Sequence, residues 1–549
     1  MSGMSMKGKE KRSRLTAVIF SFLLAVAILF GGRLDSVENV DVKDWHLWIF
    51  VVLLTAIFTG VVQLLWRLLD ILQTKCASEK KTTPNKITNV FDWADRHAAL
   101  FSFFFLLLCW LPVFLAVYPG FFVYDAQDEY VQVATRTFST HHPLVHVLLL
   151  GGTICGVHKL TDSYNLGIAC YTLLQMLLIA GGFAFLFRYL LEKKIPRALR
   201  LIGLVYLGLF PTVVMFTLCS AKDGLFTLAL LLLLICLLEM GTQEAFFVSR
   251  GWRILFVLSG MAMMLLRNNG FYAFLVMIPF LLFLRRKQWR QMLFLTACAV
   301  AGCLLVNGGL KTLLHAESGE YQEILTVPIQ QMARVYKYEP EVFTEEDREI
   351  LHEVLSEEAL ALYTPRLSDP VKYRFDNAAF AGDKAKYAGL WLRVGMKKPL
   401  TYLNAWWLTS YGFWYPDMVI NVYGGNTVFT FTYKDNSYFG YEVEEPGIRE
   451  SKIPWLDEVY RKLSLEVWKE RVLVVSWLFS PGAMFWFYAF LFTWMLNNRR
   501  YDILYPFLPI FLLWLTVLLG PTYLPRYVLF LWYGLPLFLS MTAMSNSSV

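Results

Sequence analysis

Long apolar runs alternate with short charged turns along most of this chain. A helix needs about 20 apolar residues to cross a bilayer, because it rises about 1.5 Å per residue through about 30 Å of hydrocarbon. Twelve stretches reach or approach that length: 15–32, 47–69, 98–118, 166–190, 199–219, 224–240, 252–266, 270–284, 291–307, 478–496, 502–519 and 527–544. From about Gly308 to about Trp477 the rhythm gives way to a polar stretch long enough to fold by itself. The pattern predicts an all-α polytopic membrane protein in four parts. Residues 1–97 hold two helices and a cytoplasmic loop, and 98–307 form a transmembrane core with a first external loop at 118–163. Residues 308–477 form a mainly helical extracytoplasmic domain, and 478–549 carry the C-terminal spans.

Direction follows from the basic residues, which collect on the cytoplasmic side of membrane proteins. The clusters are the N-terminal Lys7, Lys9, Lys11, Arg12 and Arg14; Lys75, Lys80, Lys81, Lys86 and Arg96; and Arg188, Lys193, Lys194, Arg197 and Arg200. Arg250 with Arg253, Arg285–Arg286–Lys287 with Arg290, and Arg499 with Arg500 complete them. All fall on one side if both termini are cytoplasmic and the short apolar segment Pro143–Leu160 stays outside, flat on the membrane as an interfacial helix. The N-terminal run is long and lacks a cleavage site of small residues, so it reads as a retained signal anchor. In the outer domain, Thr344 with Asp347 three residues on predicts the start of a helix over Phe343–Leu355. Tyr402, Trp406, Trp407, Tyr411, Phe413, Trp414 and Tyr415 read as an aromatic belt at the headgroups.

Composition narrows the function. The chain is 57% hydrophobic and 17% charged, against about 25% charged in soluble domains. The net charge of +7 does not point to nucleic acid, because the basic residues lie between spans. Eight cysteines occur without CxxC or Cys/His spacing, which supports neither a disulfide framework nor a zinc finger.

Charges beside membrane spans are costly and mark function. The outer turns carry a short set. The first loop, YPGFFVYDAQDEY, holds Asp125, Asp128 and Glu129, followed by Arg136, His141 and His142. CSAKDGLF holds Lys222 and Asp223; LLRNNGFY holds Arg267, Asn268 and Asn269; GPTYLPRY holds Arg526. Carboxylates facing cations at a water–lipid boundary suit transfer of a phosphate-linked sugar. The acceptor hydroxyl needs a base, and the departing phosphate needs positive charge. Arg267, Arg526 and Lys222 supply the charge, arginine in a bidentate manner.

The order of a span, an acidic external loop, a flat helix after proline, further spans and an external domain resembles the GT-C superfamily of membrane glycosyltransferases. Protein O-mannosyltransferases and lipid A aminoarabinose transferases share it. YPGFFVYDAQDEY…HHPLVH with SAKDGLF, RNNGFY and PRY resembles still more an uncharacterised bacterial GT-C-related family, from about residue 98 onward. The resemblance implies a GT-C-like fold in a bacterial plasma membrane. It also implies inverting transfer from a polyprenyl-phosphate sugar to an envelope glycan, lipid or protein, with Asp125 as base. Because no Asp-Glu pair directly follows the third span, Asp128 and Glu129 stay open for that role. Asp223 is a further candidate, and Asn269, His141 and His142 are candidates for binding substrate.

Two other classes share this layout. A flippase or secondary carrier also has many spans, but its polar groups lie near the midplane and its halves often repeat. A polysaccharide polymerase or ligase also has a large outer loop. No cofactor is expected, and a divalent metal at the acidic loop is the less favoured reading because no second carboxylate cluster accompanies it.

Overall fold

The structure is a computed structural model that describes residues 6–77, 92–419, 443–465, 472 and 474–544. Lys80, Lys81 and Lys86 of the second basic cluster lie outside them, as does the stretch 420–442 of the expected outer domain. Among the described residues every element is a helix. The principal ones are α1 (Met6–Val37), α2 (Trp45–Ala77), α3 (Ala98–Ala116), α4 (Ala126–Thr135), α5 (Leu144–Thr161) and α6 (Tyr164–Glu192). They continue as α7 (Arg197–Leu209), α8 (Pro211–Thr217), α9 (Asp223–Thr242), α10 (Arg250–Leu266), α11 (Asn268–Leu284) and α12 (Trp289–Leu313). A lobe follows with α13 (Thr326–Tyr338), α14 (Glu345–Val354), α15 (Lys384–Lys397) and α16 (Pro399–Ser410), after which α17 (Pro481–Asn497) and α18 (Phe507–Val517) rejoin the bundle.

Among the described residues, seven helices are long and apolar enough to cross a membrane: α1, α2, α3, α5, α6, α9 and α12. The pair α7–α8 makes an eighth if counted as one span bent by 58°. The bend has a local cause. Phe210 precedes Pro211 and takes extended backbone (φ −68°, ψ 121°), as the proline ring demands of its neighbour. Pro211 then opens α8, where its missing N–H costs nothing. Twelve apolar runs therefore do not become twelve helices of spanning length. Those at 270–284, 502–519 and 527–544 form the shorter apolar helices Asn268–Leu284, Phe507–Val517 and Phe530–Ala543.

Two charged layers bracket the bundle. Asp223 and Glu239 lie sixteen residues apart on α9, about 24 Å at 1.5 Å per residue. Near Glu239 are Lys193, at 2.5 Å, and the Tyr189 hydroxyl, which donates to it at 3.0 Å. Helix α6 meets both layers, through Tyr189 at this end and through Gln175, which donates to the carbonyl of Cys219, at the other. Its first residue, Tyr164, thus lies on the Asp223 side. Helix α5 starts beside that layer with His146 and ends at Asp162, just before α6. Helix α5 is itself apolar enough to cross, and it runs from His146 beside Tyr171 to His158 stacked on Tyr164, the first residue of α6.

One large apolar core joins the membrane helices. A second, from Ile329 to Tyr402, belongs to the lobe alone. In the lobe Thr344 caps α14 as its spacing predicts: Asp347 N donates to Thr344 Oγ1 at 3.1 Å, and Thr344 N donates to Asp347 Oδ2 at 3.3 Å. The expected aromatic belt is partly interior, with Trp406, Trp407, Trp414 and Tyr415 half-buried. Tyr402, Tyr411 and Phe413 are buried, Trp406 Nε1 donates to the Leu518 carbonyl at 2.7 Å, and Trp407 packs edge-on against Phe30 at 5.5 Å. The Trp406 and Trp414 indoles find their hydrogen-bond acceptors inside the protein.

The lobe rests on the α1–α2 hairpin. Asn404 accepts from Val40 N at 2.7 Å and returns a bond to Val40 O at 3.1 Å. Arg334 donates to Glu38 O at 2.7 Å and Arg366 to Asp35 O at 2.9 Å.

Candidate functional site

The first external loop is stitched to the Lys222 turn by backbone. Phe121 N donates to Leu218 O at 3.0 Å, and Ser220 N donates to Phe121 O at 2.9 Å. Gly120 permits this approach. Its φ of +125° suits only glycine, and a Cβ there would stand 2.5 Å from Thr172 Oγ1. Tyr124 also adopts a left-handed conformation (φ 64°), uncommon for a bulky residue and typical of functional sites. The turn lays its ring beneath Arg526, whose guanidinium lies 4.5 Å from the ring centroid, and delivers Asp125 as the residue before α4.

Asp125 and Lys222 form the centre. Lys222 Nζ donates to Asp125 Oδ2 at 2.6 Å and lies 3.4 Å from Glu129 Oε1 and 3.1 Å from His142 Nδ1. Arg526 grips the same Asp125 with both arms, Nη1 to Oδ2 at 3.2 Å and Nη2 to Oδ1 at 3.4 Å. Its Nη1 is also 4.0 Å from Asp223 Oδ2, and Asp223 pairs through Oδ1 with Arg267. Tyr527 lies 5.1 Å from both Arg267 and Arg526. The side chains of Asp125, Lys222, Arg267 and Arg526 keep 10–19% of their surface exposed, whereas Glu129 and Asp223 keep 1%.

A second tier supports this set. His146 Nδ1 meets Glu129 Oε2, and its Nε2 meets the Tyr171 hydroxyl at 2.6 Å. Tyr171 donates to Gln175 Oε1 at 3.1 Å, and Gln175 Nε2 donates to the carbonyls of Thr217 at 2.9 Å and Cys219 at 2.6 Å. The Tyr171 hydroxyl thus joins His146 to Gln175. Gly151 lets α5 close on α4, since a Cβ there would meet Val133 Cγ2 at 2.6 Å. His146, Tyr171 and Gln175 were not singled out in the sequence. They lie within apolar stretches, and only the pairing of α5 with α6 reveals them.

The electrostatics follow from burial and pairing. Burial opposes the Asp125 anion, but Arg526 and Lys222 outweigh it and hold its carboxyl well below the usual range. Burial opposes the Glu129 anion as well, and His146 and Lys222 lower it overall. Lys222 is raised despite burial because Asp125 and Glu129 face it. Burial and the neighbouring ammonium push His142 down to about 3, so its imidazole is neutral.

The remaining sequence candidates lie apart. Asp128, three residues after Asp125, is exposed, so the three loop carboxylates do not share a face. Asp125 precedes the helix, and only Glu129, a full turn on, points the same way. His141 is exposed, its ring 4.5 Å from that of His142. Arg136 is exposed in a left-handed helix cap. Asn269 donates to Thr516 Oγ1 at 3.1 Å, beyond the direct pairs. Its Oδ1, with Ser220 Oγ, Asp223 Oδ2, Thr522 Oγ1 and Arg526 Nε, is buried without a hydrogen-bond partner among the described residues. These atoms come from the same turns as the charged groups. Asp125, Glu129 and His142 each bring one atom within 4.8 Å of the others, a grouping able to hold a cation.

Fold and site together define a polytopic helical membrane protein with a paired acid–base cluster at the ends of its helices. The chain belongs to a family of unknown function (DUF6020), whose profile matches residues 131–548. Lys222, Asp223, Arg267 and Arg526 fall within the matched stretch, and Asp125 and Glu129 just precede it. No curated protein and no solved structure matches the chain.

Proposed function

We propose that this protein is a membrane glycosyltransferase of GT-C type, with about twelve membrane passes counting its short and bent helices and both termini in the cytoplasm of a bacterium. It transfers a sugar from a polyprenyl-phosphate donor to an envelope acceptor at the outer face, with inversion. The observation that carries the reading is the position of Asp125, held at once by Lys222 and Arg526. A carboxylate and two cations thus stand at one point, next to the Asp223–Arg267 pair.

The mechanism follows from charge. In the resting site the cations are neutralised by carboxylates and Asp125 is a poor base. A donor phosphate competes for Lys222 and Arg526. As they turn to it, Asp125 regains basicity where the acceptor hydroxyl attacks. The cations then stabilise the phosphate that leaves. The unpartnered polar atoms of Ser220, Asn269 and Thr522 supply hydrogen bonds for a hydroxyl-rich headgroup. The test is mass spectrometry of envelope glycans from cells with and without the protein, complemented by wild type or Asp125→Asn. One glycan modification should vanish on deletion and return only with wild type. Unchanged glycans in all strains overturn the reading.

A further inference from the structure

Lys222 reaches into a pocket that has the make-up of a divalent cation site. Asp125, Glu129 and His142 supply two carboxylates and an imidazole, with one atom of each inside a 4.8 Å span. That donor set suits manganese or zinc. The ammonium nitrogen lies 2.6, 3.4 and 3.1 Å from an atom of each of the three. An ammonium has three protons to give and no acceptor capacity, and three acceptors meet it here. We propose that Lys222 is the resident cation of this site: its ammonium fills the position a divalent metal would take and keeps such ions out.

Charge points the same way. Asp125, Glu129 and Asp223 face three permanent cations, Lys222, Arg267 and Arg526, and His146 stands behind Glu129 as well. A metal added to that set brings two further positive charges into a largely buried cluster with no carboxylate left to meet them. Removing the Lys222 amine reverses the situation. It leaves Glu129 and His142 without that donor and opens the volume between three ligand atoms. His142 Nδ1 faces the ammonium at 3.1 Å, and the same atom is the one that would bind an ion in its place. A tethered ammonium cannot be chelated away, so the site keeps its positive charge whatever the supply of metal outside the cell. The inference concerns which ion the site holds and is independent of what group the protein transfers.

The experiment is direct Mn²⁺ binding to the detergent-solubilised full chain, followed by electron paramagnetic resonance. Wild type should bind no stoichiometric Mn²⁺. Lys222→Ala, or Lys222→Met where alanine prevents a monodisperse preparation, should bind one ion per chain at least tenfold more tightly than wild type. Adding Glu129→Gln should abolish that binding. A wild-type chain that binds one Mn²⁺, lost in Glu129→Gln, overturns the proposal, and this measurement stands alone if neither Lys222 variant folds. A folded Lys222 variant that binds no ion overturns it equally.

Discussion

Lys222 and Asp125, ninety-seven positions apart in the chain, meet at 2.6 Å, and Arg526 reaches the same carboxylate oxygen at 3.2 Å. On the proposed reading Asp125 is the base and these two cations control its release. Asp125→Asn keeps the shape but not the basicity. It should lower transfer by about 10²–10⁴-fold, the usual worth of a general base, while expression and donor binding persist. Measurement of product formation in membranes, with protein amount matched, checks this. Full activity in the variant moves the role elsewhere.

Glu129 and Asp128 are adjacent in sequence and should behave differently. Glu129 is buried between Lys222 and His146. Glu129→Gln leaves those partners without their counter-charge, a change that typically costs about 3–5 kcal/mol when the site is buried. A clear drop in melting temperature in detergent is expected. Asp128 is exposed, and Asp128→Asn should change stability by no more than about 0.5 kcal/mol. Equal melting curves for the two variants would contradict the placement of Glu129.

Arg526 holds Asp125 by a two-armed contact, and Arg267 holds Asp223. Arg526→Ala and Arg267→Ala should weaken donor use. Lysine at position 526 should restore only part of it, because a point charge cannot reproduce the planar fork. The check is donor concentration dependence: normal affinity in both alanine variants would make the arginines lipid anchors.

His142 predicts an acid limit. Its folded pKa is near 3, against an ordinary 6.5, with burial and Lys222 opposing its charge and Asp125 and Glu129 favouring it. The unfolded chain therefore binds more protons than the folded one between those values. The stability this group confers is fully present above pH 6.5 and falls as pH drops below it. Thermal stability should decline from pH 7.5 to 5.5 in wild type and decline less in His142→Gln. Parallel pH profiles for the two proteins would contradict the assignment.

The path of α5 predicts a labelling pattern. Asp162 and the Asp125 layer lie on one side, and Glu244, beyond the Glu239 end of α9, lies on the other. In cells carrying Asp162→Cys, an impermeant thiol reagent should label that site, while Glu244→Cys stays protected until lysis. Label at 244 alone would invert the orientation and set the candidate site in the cytoplasm.

Much of the site was legible before any coordinates. Asp125, Lys222, Asp223, Arg267 and Arg526 all stand in short turns between apolar runs, where a charge has no solubility role to explain it. Their convergence follows once the bundle brings those turns to one level. The facing of Asp128 and Glu129 was not legible, because it depends on where α4 begins, and Asp125 falls one residue before the helix. Likewise His146, Tyr171 and Gln175 are single polar residues in apolar stretches, each readable as an ordinary core residue. Helix length is only partly legible for a related reason: an apolar run shows what is buried but not whether proline or a turn cuts the helix short.

The α1–α2 hairpin lies wholly before the stretch matched by the family profile, yet Val40, Glu38 and Asp35 carry the lobe through backbone groups. Backbone groups offer the same bond whatever their side chains, and the Asp35 carboxylate adds side-chain contacts to Tyr411 at 3.1 Å and Arg366 at 3.6 Å. The hairpin thereby acts as a strut of set height. It fixes where α13 and the middle of α16 sit over the connection between the first two helices.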